Sequence, residues 1–184
     1  VSANGSFIVA AAGNGKTCGL PDALVYPASY NHVFSVTSVG PSNNHEQWIG
    51  DPSSTHNHND SVDLAAPGYD VAISPASGWY LNMNGTSFAA AYVSGTVALM
   101  LSANKCISNL QIEQILKNTA SPLNSLNPAY AGKLGAGRLD AFQAVLAAST
   151  AWNPITPSFL IVDSCLAQDA SITLLIQGAQ APFD

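Results

Sequence analysis

The chain has 184 residues, 47% of them hydrophobic, enough for one sizeable core. Only 9% are charged, and five Lys and Arg set against eleven Asp and Glu leave a formal net charge of −6, which excludes the basic footprint of a nucleic-acid partner. The longest apolar run, residues 88–103, is interrupted by Ser94, Gly95, Thr96 and Ser102 and falls short of the ~20 predominantly apolar residues of a membrane span.

Residues 7–12 form a short apolar run stopped by Gly13-Asn14-Gly15, the pattern of a buried parallel strand ending in a loop. Taken alone, Asn14 reads as a turn residue. Cys18 sits in the next loop, and with Cys106 and Cys165 it makes three widely spaced cysteines that fit neither a zinc site nor a redox pair. One disulfide with a leftover thiol and a partner outside the chain both stay open. Residues 34–40 alternate and are rich in β formers, hence a strand. Residues 41–61 are polar and irregular. Their His45, His56, His58 and Asp60 read as a solvated loop rather than a metal site, because no Cys or Glu joins them at ligand spacing. A short inner strand is expected at 62–65, ended by Pro67-Gly68. Trp79, Tyr80 and Met83 follow in a hairpin-like stretch, placed either to line a groove or to cover the core.

The chain is organised around Asn84-Gly85-Thr86-Ser87-Phe88, which opens a helix at 88–103 that is apolar on nearly every side and therefore expected in a core. Thr86 or Ser87 is expected to cap that helix. A serine in its first turn feels the positive end of the helix dipole. Ser108-Asn109-Leu110-Gln111 is a capping-box signal for a second helix, with Ile112, Ile115 and Leu116 on one stripe and an end near Asn118. A third helix follows Gly135-Ala136-Gly137, with Asp140 as cap and Phe142, Val145 and Leu146 expected inward. Beyond Ser149 a linker leads to two strands, at 159–163 and 171–177.

Four segments, in this order, resemble the subtilisin-like serine proteases, the subtilases: Ala-Ala-Gly-Asn at 11–14, Tyr-Pro-Ala at 26–28, Val-Asp-Leu-Ala-Ala-Pro-Gly at 62–68, and Gly-Thr-Ser-Phe-Ala-Ala at 85–90. The resemblance covers about residues 5–149. One departure is Ala91, where the family usually has proline; alanine is the better helix former, so the helix is expected to persist. The resemblance implies an α/β fold of three layers with a mainly parallel sheet, present here in part, in a domain at 1–152. Residues 153–184 then resemble the first strands of an incomplete β-sandwich-like module. It further implies a cis Tyr26–Pro27 bond, a structural rather than catalytic Asp63, Ser87 as nucleophile and Asn14 as oxyanion donor.

No cofactor is implied. In some relatives a structural calcium or monovalent cation is held by backbone carbonyls at the positions of Ala28, Tyr30 and Val33. The family's acid and base lie in Asp-Thr-Gly and His-Gly-Thr contexts that this sequence lacks, and both are expected upstream of Val1, the two ends being cuts through a longer protein. The expected partners are polypeptide substrates and that N-terminal part of the same protein; the expected location is secreted or at the cell surface. Three other readings stand beside this one: an inactive subtilase-like scaffold or binding module, an α/β-hydrolase esterase, and a β-rich surface protein. The esterase fails because no histidine follows Ser87, and the helices argue against the surface protein.

Overall fold

The computed structural model describes residues 5–15, 20–75 and 78–151, together with the backbone of two strands at 156–162 and 171–177. Contacts divide the chain into two compact units, 1–149 and 150–184. In the first, three strands run parallel in the order β1 (Val9–Ala11), β2 (Phe34–Val39), β3 (Leu64–Pro67). Val9 pairs with Phe34, and Val36 with Leu64. All six residues of β2 are buried, so both faces of the central strand are covered, as parallel strands require. The sheet is parallel and the fold α/β, as the sequence implies. β3 begins two residues later than expected because Asp63 acts as a clasp at its entrance. The Asp63 N–H donates to the Ser35 carbonyl at 2.9 Å, and its Oδ2 accepts the Ser35 N–H at 2.8 Å. Its Oδ1 pairs with Lys117 Nζ at 2.8 Å. A short antiparallel pair, β4 (Val71–Ile73) and β5 (Leu81–Met83), leads into the central helix.

Helix α1 (Thr86–Ala103) packs against all three parallel strands. Its buried residues, Thr86, Ala89, Val93, Thr96, Val97 and Met100, recur every three or four positions and form one stripe. The expectation of burial on every side is corrected here: Tyr92 and Leu99 on the other face are 48% and 58% exposed. The sheet covers one side of the helix, and nothing among the described residues covers the other. By length and composition alone α1 could cross a membrane. Val93 and Met100, fully buried, give it the seat of a core helix.

Helix α2 (Asn109–Asn118) has the expected capping box on Ser108 and Gln111 and buries Ile112 and Leu116. Helix α3 (Ala141–Thr150) is capped as expected, Asp140 Oδ1 accepting the Gln143 N–H at 3.0 Å. Its inward face is not the expected one. Ala144 and Ala148 are fully buried, whereas Phe142 and Leu146 are 71% and 49% exposed. The two alanines let the helix backbone come close: the Ala148 carbonyl accepts from the buried Asn104 amide at 3.0 Å. In the second unit β6 (Thr156–Val162) pairs antiparallel with β7 (Ser171–Gln177).

In the polar stretch after β2, Trp48, Ile49 and Asp60 are exposed as a solvated loop requires, but the histidines are not. His45 and Asn57 are fully buried, and His56 and His58 nearly so. A buried imidazole is tolerated when its nitrogens have partners. Those of His45 contact the Ser38 carbonyl and His58, both at 3.0 Å. Cys106 is an exposed thiol; Cys18 and Cys165, and with them the pairing of the three cysteines, lie outside the described residues.

Replacing fully buried Ile112 with alanine is expected to cost about 2–5 kcal/mol. Leu110→Ala, at a position 63% exposed on the same helix, is expected to stay within about 0.5 kcal/mol. Urea unfolding of both variants checks the contrast.

Candidate active site

Two loops meet where β1 ends and α1 begins. β1 feeds Gly13, Asn14 and Gly15, and β3 feeds Gly68. Gly15 has φ +61°, and a Cβ there would strike the Thr55 carbonyl. Gly68 lies so close to Ser38 that a Cβ would collide with the Ser38 Cβ. The Gly68 carbonyl accepts the Gly85 N–H at 2.8 Å, which fixes the turn before the helix.

The expected cap is corrected by the structure. Gly85 is the N-cap residue and supplies no side chain, and neither Thr86 nor Ser87 caps the helix. The cap comes from Asn14, 72 residues away in sequence. Its Oδ1 accepts from the Thr86 N–H and from the Thr86 hydroxyl, each at 2.9 Å. The same hydroxyl accepts the Gly13 N–H at 3.2 Å. A backbone N–H only donates, so the Asn14 atom facing it must be the amide oxygen. The amide nitrogen is thereby turned to the other side, 3.7 Å from where a Gly85 Cβ would stand, beside the serine turn. Thr86 is 1% exposed and Ser87 is exposed, so the turn places one side chain inward and the next at the surface. The Ser87 N–H, in the first helical turn, has no intrahelical acceptor. Two N–H donors and a hydroxyl thus gather at the positive end of an 18-residue helix, an arrangement suited to a developing oxyanion.

Other expected residues fall as follows. The helix runs unbroken through Ala91. Asp63 is the clasp described above. Tyr26–Pro27 is cis. Trp79, Tyr80 and Met83 are 75%, 80% and 43% exposed, so they do not cover the core. Ala28, Tyr30 and Val33 line one cavity of about 240 Å³, shared with Asp60, Asp63 and Glu113. Among the described residues no cluster of His, Cys, Asp and Glu has an arrangement that would hold a metal ion. None of the four histidines hydrogen-bonds Ser87 among the described contacts: His45, His56 and His58 are engaged with one another and with Ser38, and His32 lines that same cavity. Sequence reasoning missed Thr86 as the joint between the two loops. Its signal was a threonine directly before Ser87, which reads as a local cap.

A parallel α/β sheet with a serine and an amide at its carboxyl-terminal edge is the arrangement that the resemblance to the subtilases implies. The comparisons agree: a model of the Subtilase family matches residues 2–142, and the chain belongs to that family. It is similar to Subtilisin BL of Lederbergia lenta, 33% identical over 135 residues, which cover 73% of this chain and 46% of the relative. It is similar also to Subtilisin DY of Bacillus licheniformis, 34% identical over 131 residues covering 71% and 44%. Among solved structures, the patellamide maturation protease PatA matches with a TM-score of 0.65 at 28% identity, covering 80% of this chain and 53% of that one. A protease from Pseudoalteromonas arctica matches at 0.62 and 32%, covering 80% and 44%. The chain therefore spans about half the length of the relatives it matches.

Thr86→Val removes the hydroxyl that joins Gly13 to Asn14 while keeping the side-chain shape. In the full-length protein it is expected to slow acylation of Ser87 by about 10- to 100-fold, the scale of a small misplacement of reacting groups. The rate of labelling by a serine-directed phosphonate measures it.

Proposed function

We propose that this chain is the C-terminal portion of the catalytic domain of a secreted subtilisin-like serine endopeptidase. Ser87 Oγ attacks the carbonyl carbon of a peptide bond, and the carbonyl oxygen takes up the charge. The Asn14 side-chain amide and the Ser87 N–H donate to that oxygen. The proton of Ser87 passes to a histidine in the part of the protein that precedes this chain, oriented there by an aspartate. The histidine returns the proton to the departing amine, leaving an acyl-enzyme on Ser87, which water then hydrolyses. The observation that carries this reading is the pair of hydrogen bonds that the Thr86 N–H and hydroxyl donate to Asn14 Oδ1, which aims the amide nitrogen toward the serine turn.

Two further observations support it. The chain spans under half of its subtilisin relatives. The uncovered side of α1 also carries an apolar groove of about 480 Å³ lined by Phe88, Tyr92 and Leu99, which an upstream segment of the same protein would fill. Polypeptides are the proposed substrates. A weakly held structural calcium or monovalent cation, a hard ion that prefers oxygen, is proposed at the carbonyls of Ala28, Tyr30 and Val33, residues that line one cavity with the acidic Asp60.

The test is labelling of the full-length protein with a fluorophosphonate, with Ser87→Ala as control. Labelling abolished by that substitution is expected, together with a loss on the order of 10²–10³ in turnover for Asn14→Ala, the scale measured for the corresponding donor of subtilisin. Absence of labelling in folded, processed protein would favour an inactive scaffold, in which Ser87 is a helix residue only. The isolated 184-residue chain is expected to be inactive; peptide hydrolysis by it that disappears in Ser87→Ala would overturn the assignment of the base to another segment.

A further inference from the structure

The proposed chemistry uses none of the three buried histidines, yet they sit directly behind its two loops. Hydrogen bonds dictate the charge of His45. His45 Nδ1 faces the Ser38 carbonyl at 3.0 Å and His58 Nδ1 faces the His56 carbonyl at 3.1 Å. Carbonyls only accept, so both Nδ1 atoms carry hydrogen. His58 Nδ1 also stands 3.0 Å from His45 Nε2, which must then be the bare, accepting nitrogen. A proton added to His45 Nε2 would face the His58 N–H head on. The pair is complete only with a neutral His45, while His56 and His58 are kept neutral by burial.

The surroundings offer little to a charged form. The His45 and His58 rings pack edge-on against Tyr130, and His56 packs on Tyr69. Glu46 adjoins His45 in sequence, but Tyr130 Oη donates to its Oε1 at 2.7 Å and the Gly50 N–H to its Oε2 at 2.6 Å. Lys133 and Asp22 act on His58 in opposite directions, and Asp51 acts on Tyr130.

Residues 56 and 57 then reach both limbs of the reaction centre. His56 Nδ1 is hydrogen-bonded to Ser38 Oγ. Ser38 presses on Gly68, whose carbonyl holds Gly85 two residues before Ser87. The Asn57 N–H donates to the Gly13 carbonyl at 3.0 Å, and Asn57 Oδ1 accepts the Gly15 N–H at 2.9 Å. Asn14 is therefore gripped on either side by the residue next to His56.

We propose that His45, His56 and His58 form an acid-sensitive clamp behind the reaction centre, with His56 as its positioning residue: neutral, the cluster holds Ser38 and Asn57 against the two loops, and protonated, it lets them go. The functional meaning rests on the reading of Ser87 and Asn14 above; the structural content does not. Burial lowers His45 and His56 from 6.5 to about 4, and moves His58 in the same direction. An opened segment regains the ordinary value and binds protons that the closed one refuses. The closed form is thus fully favoured above 6.5 and loses ground as pH falls toward 4. Across that window the open population rises about tenfold per pH unit for each imidazole involved.

Hydrogen exchange on the full-length Ser87→Ala protein, corrected for intrinsic rates, tests this without dependence on turnover. Between about pH 7.5 and 4.5, peptides covering 13–15 and 85–88 are expected to lose protection reversibly while those covering α2 keep it. Unchanged protection at 13–15 and 85–88 would overturn the proposal, and so would parallel loss in α2, which is global acid unfolding. His56→Gln is expected to flatten the dependence. Should that variant not fold, the imidazole C–H resonances of the parent protein decide: midpoints below about 5 that track the exchange support the clamp, and a His56 midpoint near 6.5 contradicts it. Phosphonate labelling of Ser87 in the parent protein at neutral pH reports separately on the reading of the active site.

Discussion

A helix that starts on a glycine leaves its first N–H groups without acceptors, and in this fold the remedy comes from another strand. Asn14 Oδ1 takes the Thr86 N–H and hydroxyl, and the same hydroxyl takes the Gly13 N–H. Three bonds at one buried threonine therefore tie the end of β1 to the start of α1. The tie satisfies the helix terminus, sets which way the Asn14 amide faces, and turns Thr86 inward so that Ser87 turns outward. An exposed serine at the end of a helix is common. One whose helix is capped by an amide that also faces the serine turn is a more specific arrangement.

The rest of the first unit supports that joint from behind. Gly68 lets β3 pass close under the turn, and Asp63 holds β2, β3 and α2 in register through Ser35 and Lys117. Lys117 loses hydration on partial burial, but Asp63 and Glu113 outweigh this and raise its pKa, so it keeps its charge at neutral pH. The residues behind the joint are unusually polar for a core, and their hydrogen-bond partners come from both loops and strand β2. Such a core is more responsive to protonation than a hydrocarbon one, because each lost partner leaves a buried polar atom to be satisfied.

Much of this was legible in the sequence where local chemistry decides the outcome. The capping box at Ser108 and the Asp140 cap gave two helix starts, the short apolar run at 7–12 gave a parallel strand, and the alternating β formers from Phe34 gave its neighbour. The family motifs singled out Ser87 and Asn14, whose two loops the structure brings together. What could not be read depended on partners distant in the chain. An all-apolar helix does not reveal which side its neighbours cover, so the exposure of Tyr92 and Leu99 was invisible. Phe142 and Leu146 outrank alanine in apolarity, yet Ala144 and Ala148 took the inward face because close approach favoured small side chains. His45, His56 and His58 looked like solvent-facing residues because polarity predicts exposure only when no internal partner is available. Here Ser38, two backbone carbonyls and two tyrosines supplied them.

The central claim is geometric, and a geometric measurement tests it most directly. A crystal structure of the full-length protein with a peptide boronic acid would trap a tetrahedral adduct. The expected result is a covalent bond to Ser87 Oγ, with one boronate oxygen about 2.7–3.1 Å from both Asn14 Nδ2 and the Ser87 backbone nitrogen. An adduct on another side chain, or one on Ser87 whose oxygens point away from Asn14, would contradict it.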